Sequence, residues 1–161
     1  MINNDVIIYT DGSSRGNPGP GGYGIVMEDC KTGFTKQYSQ GFRKTTNNRM
    51  ELLAVIEALK KLTKKELKIT VFTDSKYVVD SVEKKWVFKW KKNGFKNKKN
   101  VDLWLDFLSI YDKNKIAFKW IKGHNNHLQN EICDKLAFNA SKNKTLFIDE
   151  GYESQNLNKL F

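Results

Sequence analysis

Cysteine is scarce in this 161-residue sequence: Cys30 and Cys133 stand about 100 positions apart, and neither belongs to a CxxC pair. That spacing argues against a disulfide scaffold. Histidine is equally scarce. His124 and His127 form an HxxH with Cys133 nearby, which offers three zinc ligands and no fourth, so a zinc centre is set aside. No apolar run approaches the roughly 18 residues of a membrane span, and the N-terminus lacks the charged-then-apolar pattern of an export leader. These absences predict a reduced, cytoplasmic protein with no membrane role. The glycine-rich run from Gly16 to Gly22 is not followed by the Gly-Lys-Ser/Thr of a phosphate-cradling loop, so it predicts a tight turn carrying Asn17.

Acid is the minority charge. Lys and Arg number 28 against 18 Asp and Glu, a net charge of +10 that favours polyanionic partners such as nucleic acid. The surplus is local: residues 84–99, KKWVFKWKKNGFKNKK, hold eight lysines and no acid, which leaves +2 for the rest of the chain. Trp86, Phe88, Trp90 and Phe95 are interleaved among those lysines. Phosphate contact combined with packing on sugars or bases requires that mixture, and a solvated charged loop with its aromatics tucked into the core is the competing reading.

The length suits one domain. DVIIYT (5–10) reads as a strand running into a turn-rich loop, and GIVMED with FTKQYSQGF reads as a hairpin turning at Lys31, Thr32 and Gly33. Between Thr45 and Leu62 the apolar residues Leu52, Val55, Ile56, Leu59 and Leu62 recur at helical spacing. A strand over 67–73, helices over 75–83 and 100–111, a strand over 116–121 and a helix over 128–141 complete the pattern. The order βββαβααβα predicts an α/β layer with a mixed sheet. After Asn143 no period is visible, so 1–143 is taken as the domain, including the basic protrusion 84–99, with 144–161 as a loosely packed tail.

One internal echo stands out. Ile8-Tyr9-Thr10-Asp11-Gly12-Ser13 and Val71-Phe72-Thr73-Asp74-Ser75 both run apolar, aromatic, Thr, Asp, small. If the two strands are parallel neighbours, their aspartates sit about 5 Å apart at the carboxyl end of the sheet, where open α/β folds bind ligands. Carboxylates that close require a proton or a cation between them. Otherwise each Asp simply caps the loop or helix that comes after it. Glu51 shares a helix face with Ala54, Val55, Ala58 and Leu62, which puts a carboxylate on a face that should be buried and so calls for a partner. The alternative is a capping box, Asn48-x-x-Glu51. Glu131 and Asp134 share a face of the last helix, and spacing does not choose between them. His124, on a polar loop, suits a proton carrier because imidazole titrates near neutrality.

Taken together these residues resemble ribonuclease HI across nearly the whole chain, through YTDGSSRGNPGPGGYG, TTNNRMEL, TDSKYV, WVFKWKKNGFK, NVDLW, WIKGHNNH and NEICDKLA. The resemblance implies the RNase H-like fold, a five-stranded mixed sheet flanked by helices. It implies an endonuclease that hydrolyses the RNA strand of RNA–DNA hybrids with two Mg²⁺ ions, Mn²⁺ being possible, leaving 5′-phosphate and 3′-hydroxyl ends. The metal ligands fall on Asp11, Glu51, Asp74 and Asp134, which selects Asp134 over Glu131, and the mobile histidine falls on His124. Hybrid contacts fall on Asn17, Asn47 and Asn48 at the RNA minor groove and on Thr46 near a DNA phosphate. Lys76 adds a further contact, and Trp86, Trp90, Lys91, Lys92 and Lys96 of the protrusion grip the DNA strand. Two departures stand out: Lys76 replaces a frequent Gln, and the protrusion is short between Lys96 and Asn100. A monomer with no obligate protein partner is expected. A catalytically silent hybrid-binding module, and a DNA-cutting or integrase-like domain on the same fold, are the rival readings.

Overall fold

In the computed structural model, which describes residues 3–123 and 127–157, the chain opens as an antiparallel meander. It comprises β1 (Val6–Ser14), β2 (Gly19–Asp29) and β3 (Thr35–Thr45). The β2–β3 turn closes as expected around Lys31–Gly33: Asp29 Oδ1 accepts from the Lys31 and Thr32 amides, and Gly33 takes a φ of 76°. β4 (Lys68–Thr73) and β5 (Lys115–Trp120) add in parallel on the other side of β1, giving a mixed sheet of order β3-β2-β1-β4-β5.

Helix α1 (Asn47–Lys60) is two residues shorter at each end than its apolar period predicts. Thr46 is extended and its hydroxyl accepts from the Arg49 amide at 3.3 Å, so the cap sits there and not at Asn48. With α2 (Lys76–Glu83) and α4 (Val101–Tyr111), α1 closes a core of Ile8, Ile25, Leu52, Val71, Trp104 and Phe107. Helix α5 (Leu128–Ser141) has the predicted bounds and covers β1, β2 and β3 on the opposite face. The faces follow from strand alternation. A side chain at Gly12 would run into α1 at Met50, whereas one at Gly24, the cross-strand partner of Asp11, would run into α5 at Cys133.

Two further helices depart from the expected order. Within the basic segment, α3 (Trp86–Lys92) is held down by the buried Val87, with Phe95 buried just beyond its end. The tail also packs. Phe147 bridges Phe42 of β3, and α6 (Glu150–Leu157) comes next. The cause is electrostatic. Arg49, 1% exposed, donates to Asp149 (Nε to Oδ2 2.8 Å, Nη2 to Oδ1 2.9 Å) and to Asp102 (2.9 and 2.7 Å), and Asp149 also accepts from the Thr45 hydroxyl. A buried guanidinium without these carboxylates is costly, so the tail docks to satisfy it. The sequence held a sign of this, since Arg49 lies on the same helix face as Leu52, Leu53 and Ile56.

Removing one member of this network should leave a buried charge unpaired. Asp149→Ala is expected to lower unfolding stability by about 3–5 kcal/mol in urea denaturation; a loss under about 1 kcal/mol would show that the tail is not held this way.

Candidate active site

Parallel pairing sets the site's first dimension. Thr10 of β1 lies opposite Thr73, the last residue of β4, so the next residues along, Asp11 within β1 and Asp74 just past β4, come side by side. Glu51 arrives from α1 through Gly12. Because a Cβ there would collide with the backbone of Met50 and Glu51, only glycine lets the helix come this near, and the Gly12 amide donates to Glu51 Oε1. This contact replaces the capping box: Glu51 reaches across to β1 instead of back to Asn48. Oxygens of Asp11, Glu51 and Asp74 all lie within 4.8 Å of one another. Asp134, half-buried on α5, hydrogen-bonds Asp11 and lines the same cleft, whereas Glu131 is exposed and outside the cleft lining.

Burial and crowding reinforce each other. Asp11 and Glu51 are 6% and 7% exposed. Desolvation, with repulsion from Asp74 and Asp134 added, pushes the Asp11 carboxyl up to about 8, although its hydrogen bond with Glu51 opposes the shift. Glu51 is raised well above the usual carboxylate range by burial first and by Asp11 next, against the pull of the Gly12 amide. The Cys133 thiol, buried beneath, is pushed up to about 12 by desolvation and then by Asp11. An oxygen-only set of crowded carboxylates held at this cost suits a hard divalent cation, which supplies the charge that protons otherwise must.

The cleft, about 400 Å³, is rimmed by Ser13, Asn47, Asn48, Ser75, Lys76 and Tyr77. Asn47 Oδ1 accepts from the Ser14 amide (2.6 Å), and Asn17 Oδ1 accepts from the Asn47 amide (3.1 Å), so the β1–β2 loop and the start of α1 brace each other. Asn48 is exposed on the rim, next to the capping Thr46. Lys76 Nζ sits 4.6 Å from the centre of the Trp120 ring, whose Nε1 donates to the Asp74 carbonyl at 3.0 Å. Sequence reading passed over Trp120, which here ties β5 to the cleft wall.

The structure divides the two protrusion tryptophans. Trp86 is 41% exposed with Lys84 Nζ 5.3 Å from its ring centre, while Trp90 is half-buried edge-on against Trp104 and capped by Lys98. Lys91, Lys92 and Lys96 are exposed. His124 lies outside the described residues. His127 caps α5 through Nδ1 and rests against Tyr9 and Phe72, so it belongs to the packing.

A mixed five-stranded sheet with an acid cluster at the carboxyl ends of its central parallel strands defines the class of α/β nucleases with the RNase H-like fold. The family profile for RNase H matches residues 3–142. Ribonuclease H of Rippkaea orientalis is 47% identical over 157 residues, covering 94% of each chain. Ribonuclease H of Desulforamulus reducens is 48% identical over 150 residues, covering 90% of this chain and 92% of the relative. Among solved structures, LC9-RNase H1, described as a type 1 RNase H with the type 2 active-site motif, superposes with a TM-score of 0.77 at 31% identity. It covers 96% of this chain and 82% of its own. LC11-RNase H1, solved in complex with an RNA/DNA hybrid, gives 0.59 at 30% identity over 84% of this chain and 95% of its own. The chain belongs to the ribonuclease H family, and it is a nuclease of the hydrolase class.

The raised acids set a pH dependence with a definite sign. Asp11 keeps its proton in the fold up to about pH 8 but loses it in the unfolded chain above about pH 4, so cation-free stability should fall as pH rises across that window. Melting in EDTA and in Mg²⁺ checks this. The Mg²⁺-induced rise should be larger at pH 8 than at pH 5.5 and most visible at low salt, where charge is least screened; a melting temperature indifferent to Mg²⁺ would contradict it.

Proposed function

We propose that this chain is an endonuclease that hydrolyses the RNA strand of RNA–DNA hybrids, leaving 5′-phosphate and 3′-hydroxyl ends. The observation that carries the reading is the meeting of Asp11, Glu51, Asp74 and Asp134 in one cleft whose rim bears Asn47 and Asn48. These four residues would hold two divalent cations, Mg²⁺ first and Mn²⁺ as a substitute. Such ions, when bound, acidify an attacking water and neutralise charge on the leaving oxygen.

The remaining parts are the chain's own. With Asn47 Oδ1 committed to Ser14, its NH₂ is left to donate to an acceptor such as a 2′-hydroxyl, and Asn48 offers a second amide beside it. Asn17 braces that pair through the Asn47 amide. Thr46, at the N-terminus of α1, lies where backbone amides and the helix dipole favour a phosphate. Lys76 brings a point charge to the cleft wall. On α3, exposed Trp86 provides a face for a sugar of the DNA strand, with Lys91, Lys92 and, beyond the helix, Lys96 for phosphates, and Trp90 anchors the helix through Trp104. His124 is assigned proton transfer on the strength of its polar loop and its imidazole alone.

An intact acid quartet favours an enzyme over a silent binding module, and strand choice separates it from a DNA-cutting relative. End-labelled hybrid, DNA duplex and RNA duplex should be incubated with Mg²⁺ or EDTA. Only the RNA strand of the hybrid should be cut, and Asp11→Asn should lower the rate by at least about a thousandfold, about 4 kcal/mol of barrier. Cutting of DNA, or activity surviving both EDTA and Asp11→Asn, would overturn the reading. Trp86→Ala should raise KM several-fold and leave kcat nearly unchanged, as for a contact made equally in ground and transition states.

A further inference from the structure

Beyond α5, on its side of the sheet, His127 rests on Phe72 of β4, and among the described residues no second helix packs closely there. Helix α5 covers β1, β2 and β3, so on its side β4 and β5 face outward. Ile69 and Val71 of β4 and Phe118 of β5 point into the core, and alternation therefore turns Lys68, Lys115 and Lys119 the other way, where all three are exposed. Lys68 and Lys115 are direct partners in the parallel register, and Lys119 is paired with Phe72. Together with Asn4 and Asn114 the three lysines line a hollow of about 540 Å³, to which Asp112 contributes a single acid. Among the described residues none of the three makes an ion pair.

Like charges placed opposite each other on adjacent strands are unfavourable. Lysine on an edge strand discourages pairing with another sheet, which accounts for Lys115 and Lys119 on β5. It does not account for Lys68, which lies on the interior strand β4. An anion bound between Lys68 and Lys115 would relieve the repulsion. Asn4 Oδ1 accepts from the Thr70 hydroxyl and Asn114 Oδ1 from the Leu67 amide, which leaves both side-chain NH₂ groups to donate to the same anion. Position also matters. Lys119 pairs with Phe72, two residues before Asp74, so the strip begins about 7 Å short of the acid end of β4 and runs about 13 Å down β5 to Lys115. It is only two strands wide, about 5 Å between backbones, which suits one polyanionic strand better than a duplex.

We propose that this open face is a second nucleic-acid surface, one that holds the single-stranded continuation of a hybrid engaged in the cleft. The idea rests on the proposed hybrid-cleaving reading for its substrate. Its test compares a blunt hybrid with the same hybrid extended by about eight unpaired nucleotides of RNA or of DNA, at either end. Binding is followed by fluorescence anisotropy and cutting by gel, for the full chain and for Lys68→Gln/Lys115→Gln/Lys119→Gln. At least one extension should tighten binding about tenfold at low salt. The triple variant should bind that substrate no better than the blunt one and flatten its slope of log Kd against log salt by about 2, since each phosphate neutralised on a single strand contributes about 0.7. Blunt-hybrid cutting should be unchanged in the variant. No gain from any extension, or a gain that persists in the triple variant, overturns the proposal. Failure of the wild-type chain to cut blunt hybrid would instead strike the hydrolase reading, because anisotropy still reports the extension separately.

Discussion

The rest of the structure depends on holding like charges together out of water. Oxygens of three carboxylates from three elements come within 4.8 Å of one another, and two of those side chains are almost wholly buried. No local preference favours this arrangement. Each acid is delivered by an element whose placement is fixed elsewhere: Asp11 and Asp74 by a parallel strand pair, Glu51 by a helix seated on a glycine, and Asp134 by a helix seated on another. The hydrophobic core on one side of the sheet and the closely packed α5 on the other supply the free energy that the acids consume. In a site of this kind the scaffold sets the distances, against the acids' mutual repulsion.

Much of this was legible in the chain. The repeated apolar-aromatic-Thr-Asp-small string foretold a matched strand pair, and its parallel pairing brought the aspartates together, although β4 ends at Thr73 and β1 runs on to Ser14. Helical spacing placed Glu51 on an apolar face, and such a face must be buried. Two details were not legible for physical reasons. The capping box and the cross-sheet reach of Glu51 share one spacing, and only the steric emptiness of Gly12 decides between them. Glu131 and Asp134 share one helical face, and only the rotation of α5 against the sheet turns one toward Asp11 and leaves the other in solvent.

The errors lay where charge overrode periodicity. The segment with eight lysines reads as a basic protrusion with no helical period, yet Val87 and Phe95 supply enough buried surface to fold α3 against the core. The tail reads as loose because α6 is short and weakly patterned, yet a single buried guanidinium draws it in. Both cases show an element specified by one or two long-range contacts, which a local window cannot see.

The Arg49 contacts also impose an order in time. Asp149 is translated 100 residues after Arg49, and the helix bearing Arg49 carries Glu51 and the rim asparagines as well. Domains form from the N-terminus as synthesis proceeds, at about 5–20 residues per second. At that rate several seconds separate the synthesis of Arg49 from that of Asp149, and until then the guanidinium lacks one of its two carboxylate partners. Asp149 neutralises that charge, so the support under the start of α1 is completed only when residues far along the chain have arrived.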